Sequence, residues 1–121
     1  MEKFDKIKEI IKKFRDDREW SQFHNPKDLA ISLNPKDLAI SLSIEAAELL
    51  ECFQWKSSAE AEKNNYQDIK YEMADVAIYL LLMCDKMGIN LLDAIEEKMK
   101  LNEKKYPVEK AKGCSKKYNE L

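Results

Sequence analysis

The chain has 121 residues, 36% of them charged, and a formal net charge of −2. This length supports one hydrophobic core, and the near-neutral charge excludes a strongly basic nucleic-acid-binding protein. Only two glycines and three prolines are present, which excludes turn-rich folds such as sandwiches, barrels and Rossmann-type units. The composition is typical of long, charged, amphipathic helices.

The N-terminal half carries the pattern of two helices. Apolar side chains recur every three or four residues over 2–18, which predicts an amphipathic helix. A second helix is predicted to cover at least 38–53, with Asn34 as its N-cap and Pro35 in its first turn. The aromatic segment 19–25 between them is predicted to be an irregular connector.

Two further helices are predicted in the C-terminal half. The polar segment 55–65 is predicted to be a loop with a short helical piece. A helix then covers 66–87 and ends at Gly88, because glycine is the usual residue at a helix C-terminus. The fourth helix spans 91–106, with Asn90 as its cap and Pro107 after it. We expect the basic tail, from Val108 onward, to be extended or mobile.

Four helices without a strand pattern favour an all-α fold, an antiparallel four-helix bundle in a single domain spanning 1–121. The N-terminus is charged, and the longest apolar run is too short to span a membrane. The three cysteines are widely spaced and form no CxxC motif. This spacing favours reduced thiols in a cytoplasmic protein over a disulfide framework.

A tandem repeat interrupts this simple pattern: residues 25–33 and 34–42 both read NPKDLAISL. Nine residues rotate a helix by about 900°, so two copies in one helix would face opposite sides. Pro35 would also break such a helix. We expect the second copy to join the second helix and the first to be displaced, disordered or used in an oligomer contact. The alternative is that the first copy takes that place and the second loops out.

Two acidic pairs form the sharpest chemical pattern, Glu45-x-x-Glu48 and Glu72-x-x-Asp75. Residues three apart share one side of a helix, and both pairs border the apolar arc of their helix. If the helices pack side by side, four carboxylates converge, which is costly without a divalent cation. Oxygen ligands favour Mg²⁺, with Mn²⁺ next. The alternative is that each pair is a solvated helix edge.

Other residues indicate a site for a nucleotide. Lys98, Asn102 and Lys105 share one helix face and form a cationic strip, unless that face is simply solvated. Trp20 and Trp55 fall at helix ends, where a base can stack; the alternative is packing in the core or in a dimer. No glycine-rich phosphate loop is present. The single histidine lies outside both acidic motifs, which disfavours a di-iron carboxylate site.

The sequence resembles the all-α nucleoside triphosphate pyrophosphohydrolases of the MazG type, and most closely their dCTP pyrophosphatase branch. The resemblance rests on five stretches that together touch nearly the whole chain: REWSQFHNPKDLA, SIEAAELLECFQWK, EMADVAIYLL, KMKLNEKKYP and SKKYNEL. It implies a Mg²⁺-dependent enzyme that cleaves dCTP or a related pyrimidine nucleotide into the monophosphate and pyrophosphate. It also implies a homodimer or homotetramer. The alternative is a non-catalytic helical oligomerisation module on the same scaffold.

The resemblance also implies roles for individual residues. The metal ligands would be Glu45, Glu48, Glu72 and Asp75. The residues near the phosphates would be Lys98, Asn102, Lys105 and Tyr106. The residues lining the base pocket would be Trp20, His24, Trp55 and Tyr79. We expect Glu48 or Glu51 to assist the attacking water. The family has one copy of the PKDLA-type segment, and here the second copy keeps the family's spacing to Glu45 while His24 lies nine residues further away.

Overall fold

The structure, a computed structural model, describes residues 2–18 and 34–113. Within these ranges the chain forms six helices and no strand, so the all-α prediction is confirmed. The helices are α1 (Glu2–Asp17), α2 (Pro35–Glu51), α3 (Ser58–Asn64), α4 (Tyr66–Met87), α5 (Leu91–Lys105) and α6 (Val108–Ala111). The four long helices end within two residues of their predicted ends. No helix in the described ranges is long and apolar enough to cross a bilayer.

Two short helices were not fully predicted. The predicted loop after the second helix is mostly α3, which begins where the Ser57 hydroxyl accepts a hydrogen bond from the backbone N–H of Glu60. The tail from Val108 onward was predicted to be extended or mobile. An extended conformation is wrong for Val108–Ala111, which form α6, because Pro107, at φ −58°, leads directly into a helical turn. Residues 114–121 lie outside the described residues.

The second copy of the repeat, 34–42, forms the N-terminal half of α2, as predicted. Its own sequence starts the helix: the Asn34 side chain accepts a hydrogen bond of 2.9 Å from the backbone N–H of Lys36, and Pro35 occupies the first turn. Both residues are favourable at a helix start. The first copy, 25–33, lies outside the described residues.

The described chain divides after α4 into two compact units, Met1–Gly88 and Ile89–Leu121. Gly88 ends α4 in the left-handed conformation, with φ 68°, as its predicted role as C-cap requires. Asn90 then starts α5, with its side chain accepting from the backbone N–H of Asp93 at 3.1 Å. The single-domain interpretation of the sequence stays a prediction.

The core of the first unit lies between α2 and α4, which pack antiparallel. At one end the Asn65 side chain donates to the Cys52 carbonyl at 2.7 Å, which ties the end of α2 to the start of α4. At the other end Leu38, fully buried, packs against Leu82. Three half-buried side chains complete this cluster: Ile11, Tyr79 and Met83.

An ion-pair network joins α1 to the end of α4. Arg15 Nη1 donates to Asp85 Oδ2 at 2.9 Å, and Lys12 Nζ lies 3.5 Å from Asp85 Oδ1. The Arg15 side chain is only 12% exposed, so this contact is better shielded from water than the other ion pairs of α1. The Arg15 hydrogen bond, more than any other contact, lowers the pKa of Asp85.

We expect Asp85→Asn to lower the free energy of unfolding by about 1–2 kcal/mol at pH 7, the range for a partly shielded charge-assisted contact. The contribution of Asp85 is present at neutral pH, because its pKa is depressed in the folded state. It is lost as the pH falls below about 4 and through the folded-state pKa. Urea unfolding of the two proteins at pH 7 and at pH 3 measures both effects.

The matched control is Asp17→Asn, which removes an exposed ion pair to Lys13 within α1. This change should alter the free energy of unfolding by no more than about 0.5 kcal/mol. Equal effects of the two substitutions would contradict a role for Asp85 in holding α1 against α4.

Candidate metal centre

The packing of α2 against α4 brings three of the four predicted metal ligands together. Glu45, Glu72 and Asp75 each offer a carboxylate oxygen, and these oxygens all lie within 4.8 Å of one another. All three side chains are half-buried. We call these three residues the acidic cluster.

Two oxygens of the acidic cluster are buried without a hydrogen-bond partner among the described residues. Glu45 Oε2 and Glu72 Oε2 have no hydrogen-bond partner among the described residues when both groups are carboxylates. The pKa of Glu45 is raised to about 8, first by burial and then by hydrogen bonding with the Glu72 and Glu48 side chains. The cluster therefore holds negative charge that only a proton or a cation can offset.

The donor set fits a hard divalent cation. It consists of carboxylate oxygens from two helices, and Glu45 and Glu72 each have a buried oxygen without a hydrogen-bond partner. Mg²⁺ and Mn²⁺ prefer such oxygen ligands, whereas zinc sites are usually built from histidine and cysteine. The cluster could hold one such ion, with Glu45, Glu72 and Asp75 as its ligands.

Glu48 and Glu51 differ in their relation to the acidic cluster. Glu48 is half-buried and contributes to the raised pKa of Glu45, although it is not among the three grouped ligands. Glu51 is exposed and lines a surface groove with Ala47 and Leu50. Six residues turn a helix by about 240° beyond a full turn, so Glu51 points well away from Glu45.

The register of the two acidic motifs depends on a residue that the sequence analysis did not single out. The Asn65 side chain fixes the turn after α2 to the start of α4, and from there the two helices run back alongside each other. This places Glu45 opposite Glu72 in the antiparallel pair. An asparagine just ahead of a helical pattern is a recognisable turn signal. Its hydrogen bond to a carbonyl thirteen residues earlier cannot be read from the sequence.

Of the four residues predicted to line a base pocket, Tyr79 and Trp55 are described. Tyr79 lies one turn after Asp75 and packs on the Leu38–Leu82 cluster. Burial raises its pKa, and the nearby carboxylates of Glu45 and Asp75 add to this shift, so the phenol lies beside the acidic cluster. Trp20 and His24 lie outside the described residues.

Trp55 occupies a strained position in the turn that follows α2. Its φ is 63°, in the left-handed region that bulky residues rarely adopt, and it is 92% exposed. Such strain often marks functional positions. The exposed indole ring leaves both of its faces open for stacking.

The four residues predicted near the phosphates lie in the second unit. Lys98, Asn102 and Lys105 share one face of α5. Tyr106 follows the helix, and its backbone N–H donates to the Asn102 carbonyl at 2.8 Å. The predicted cationic strip is therefore present on α5 as a local feature.

The comparisons with known proteins agree with this architecture. The sequence profile of the MazG-like family matches residues 40–121, which contain all the residues of the acidic cluster. The chain belongs to the MazG-like family.

Relatives of this MazG-like chain include dCTP pyrophosphatase 1 of Rattus norvegicus, 33% identical over 120 residues, and that of Homo sapiens, 32% identical. Each match covers 95% of this chain but only 65% of the relative. The chain thus spans less than two thirds of the length of these relatives.

A solved structure is similar to the MazG-like chain over most of its length. It is the crystal structure of a pyrophosphatase from Archaeoglobus fulgidus, 42% identical, with a TM-score of 0.75. The match covers 86% of this chain and 92% of the archaeal chain. The resemblance stated from the sequence is therefore confirmed at the level of family and fold.

Proposed function

We propose that this protein is a Mg²⁺-dependent nucleoside triphosphate pyrophosphohydrolase that acts on dCTP or a related pyrimidine nucleotide. The products would be the monophosphate and pyrophosphate, as in the clearing of unwanted nucleotides from the cellular pool. The observation that carries the proposal is the acidic cluster, with its two buried, unpartnered oxygens, in a MazG-like chain. The relatives, among them dCTP pyrophosphatases, support the same activity.

Each acidic residue has a distinct part in this proposal. Glu45, Glu72 and Asp75 would bind the metal ion, with Glu48 beside them as the predicted fourth ligand. A bound Mg²⁺ would draw charge from the phosphate oxygens and orient a water molecule. We favour Glu48 over Glu51 as the group that accepts the proton of that water, because Glu48 is half-buried one helical turn from Glu45 whereas Glu51 is exposed.

Further residues would contact the nucleotide itself. The strip of Lys98, Asn102 and Lys105, with Tyr106 beside it, would donate hydrogen bonds to the phosphates. Trp55 would stack on the base, with Trp20 and His24 as further predicted contacts. Tyr79, one helical turn after Asp75, would be a fourth base contact.

We also propose a homodimer or homotetramer in the cytoplasm. The apolar side chains of α4 are spread around the helix, as is typical of one packed on several sides: Leu81, Leu82 and Met83 are all buried or half-buried. Cys52 and Cys84 are free thiols, which supports a reducing compartment.

A panel of nucleoside triphosphates with Mg²⁺, read out as released pyrophosphate, tests the proposed activity. Asp75→Ala should lower the rate at least about 100-fold, because it removes a metal ligand. Asp68→Ala is the matched control: it removes an exposed carboxylate from the same helix, outside the acidic cluster, and should leave the rate unchanged.

The outcomes of this panel separate the alternatives. No pyrophosphate from any nucleotide would favour the non-catalytic helical oligomerisation module. Equal rates for wild type and Asp75→Ala would contradict the metal assignment while leaving the activity standing. The same panel shows whether dCTP is preferred.

A further inference from the structure

Asn65, at the start of α4, hydrogen-bonds three helices. Its backbone N–H donates to the Ala61 carbonyl of α3 at 2.8 Å, and its carbonyl accepts from the backbone N–H of Ile69 in α4 at 2.9 Å. Its side-chain amide donates to the Cys52 carbonyl, just after α2, at 2.7 Å. One residue therefore joins the ends of α2 and α3 to the first turn of α4.

The side chain of Asn65 does not cap the helix that it precedes. An asparagine at this position normally accepts a hydrogen bond from a backbone N–H two or three residues later. Asn34 and Asn90 do so at the starts of α2 and α5, but within the described chain the Asn65 side chain makes no such bond at the start of α4. Its amide is used instead for a contact between helices, at a half-buried position.

The hydrogen bond from Asn65 to Cys52 lies equally far along both helices from the acidic cluster. Cys52 follows Glu45 by seven residues, and Asn65 precedes Glu72 by seven residues. Seven residues make almost two turns of a helix and span about 10 Å. In an antiparallel pair, equal offsets from one contact bring two residues opposite each other. The bond therefore sets the register in which Glu45 meets Glu72, as the grouping of their oxygens requires.

A second contact between α2 and α4 lies on the other side of the acidic cluster. Leu38 precedes Glu45 by seven residues and packs with Tyr79, which follows Glu72 by seven residues. The cluster is thus midway between an apolar contact and the Asn65 amide. Its carboxylates repel one another when no cation is bound, which acts to separate the two helices. The contacts at either end oppose this separation.

We propose that Asn65 is a positioning residue for metal binding, whose side-chain amide holds α2 and α4 at the spacing that the acidic cluster needs. This inference rests on the metal site of the proposed function. Without the amide all the ligands remain, but the metal-free helices can move apart, so part of the binding free energy is spent on bringing them back. Loss of a residue that orients metal ligands typically lowers metal affinity 10–100-fold.

Titration of the full chain with Mn²⁺ in the absence of nucleotide, with free Mn²⁺ measured by electron paramagnetic resonance, tests the proposal. Asn65→Asp keeps the shape of the side chain but removes the donor, and it should raise the dissociation constant about tenfold. The added negative charge would by itself attract Mn²⁺, so weaker binding has to come from lost positioning. Asn65→Ser, which is neutral and too short to reach Cys52, should weaken binding to a similar extent.

The neighbouring asparagine supplies the matched control. Asn64→Asp makes the same chemical change at an exposed position at the end of α3, and it should bind Mn²⁺ at least as tightly as the wild type. Aspartate and serine are both favourable at a helix start, so circular dichroism should show the Asn65 variants folded. Unchanged Mn²⁺ affinity in the folded Asn65→Asp and Asn65→Ser proteins would overturn the proposal and leave Asn65 a merely structural residue.

The dependence of the hydrolytic rate on Mg²⁺ distinguishes a positioning residue from a ligand. At limiting Mg²⁺ the rate of Asn65→Asp should fall about tenfold, and in excess Mg²⁺ it should return to that of the wild type, because the ligands are intact. Asp75→Ala should not recover. A rate for Asn65→Asp that stays low at every Mg²⁺ concentration would contradict positioning through the metal.

The Mn²⁺ titration is independent of the pyrophosphate assay. A chain that binds Mn²⁺ as described but releases no pyrophosphate would remove the proposed activity and leave the role of Asn65 standing. An active enzyme whose metal affinity does not respond to the Asn65 substitutions would do the reverse. A wild type that binds no Mn²⁺ would overturn both.

Discussion

Replacing Glu45 by glutamine should make the metal-free protein more stable at pH 8 and at the same time lower its hydrolytic rate at least about 100-fold. The melting temperature should rise by about 5 °C, which corresponds to ~1 kcal/mol for a domain of this size. Glutamine keeps the shape of the side chain but removes a carboxylate that burial disfavours. Its amide can also donate a hydrogen bond to Glu72 or Glu48.

The raised pKa of Glu45 determines the direction in which stability should change with pH. The pKa of Glu45 rises from 4.5 to about 8 in the folded protein, so between these values the folded state binds a proton that the unfolded state has lost. The metal-free wild type should therefore lose stability as the pH rises from about 4.5 to 8. Glu45→Gln has no ionisable group at this position, so it should not show the decrease in stability that Glu45 causes.

Thermal melts of both proteins in EDTA and in excess Mg²⁺ measure the effect. Mg²⁺ should raise the melting temperature of the wild type, since it binds the folded state, and should affect the variant far less. Glu62→Gln, an exposed change on α3, is the control and should behave as wild type. A variant that is both less stable without metal and fully responsive to Mg²⁺ would contradict the role of Glu45.

Replacing Leu38 by alanine should destabilise the protein by about 3 kcal/mol, a value typical of leucine in a packed core. Leu38 is fully buried against Leu82, and the side chains around it come from α1 and α4. The loss would leave a cavity where all three helices meet. Urea unfolding with circular dichroism measures the change.

The tandem repeat supplies its own matched control. Leu29→Ala makes the same chemical change at the equivalent position of the first copy. It should cost far less than Leu38→Ala, since we predict that only the second copy contributes to α2. Equal costs would contradict that assignment, and a larger cost for Leu29→Ala would favour the alternative in which the first copy takes the place.

The long helices could be predicted because their ends are encoded locally. Neighbouring backbone groups are enough to explain the caps at Asn34, Gly88 and Asn90. The spacing of apolar residues predicts the helices between these caps. The shorter helices were harder. Ser57 starts α3 in a segment with almost no apolar residues, so periodicity gave only a weak indication of its length.

The acidic cluster was partly predictable for a similar reason. Helical spacing indicated that each pair shares one side of its helix, but the grouping of Glu45 with Glu72 and Asp75 depends on how α2 sits against α4. That arrangement depends on tertiary contacts, such as the hydrogen bond from Asn65 to Cys52. Exposed apolar side chains on α2, among them Ile40, Ile44 and Leu50, also blur the apolar spacing from which the buried side of that helix is predicted.

The helix start at Asn34 has an evolutionary consequence. Nine residues inserted inside α2 would have turned every later side chain to the other side of the helix, separating Glu45 from Glu72. The duplicated unit instead begins with its own Asn-Pro start, so the added length falls ahead of the helix and the phase of everything after Pro35 is preserved. A gene can therefore acquire this repeat in one step without a compensating change in α2 or α4.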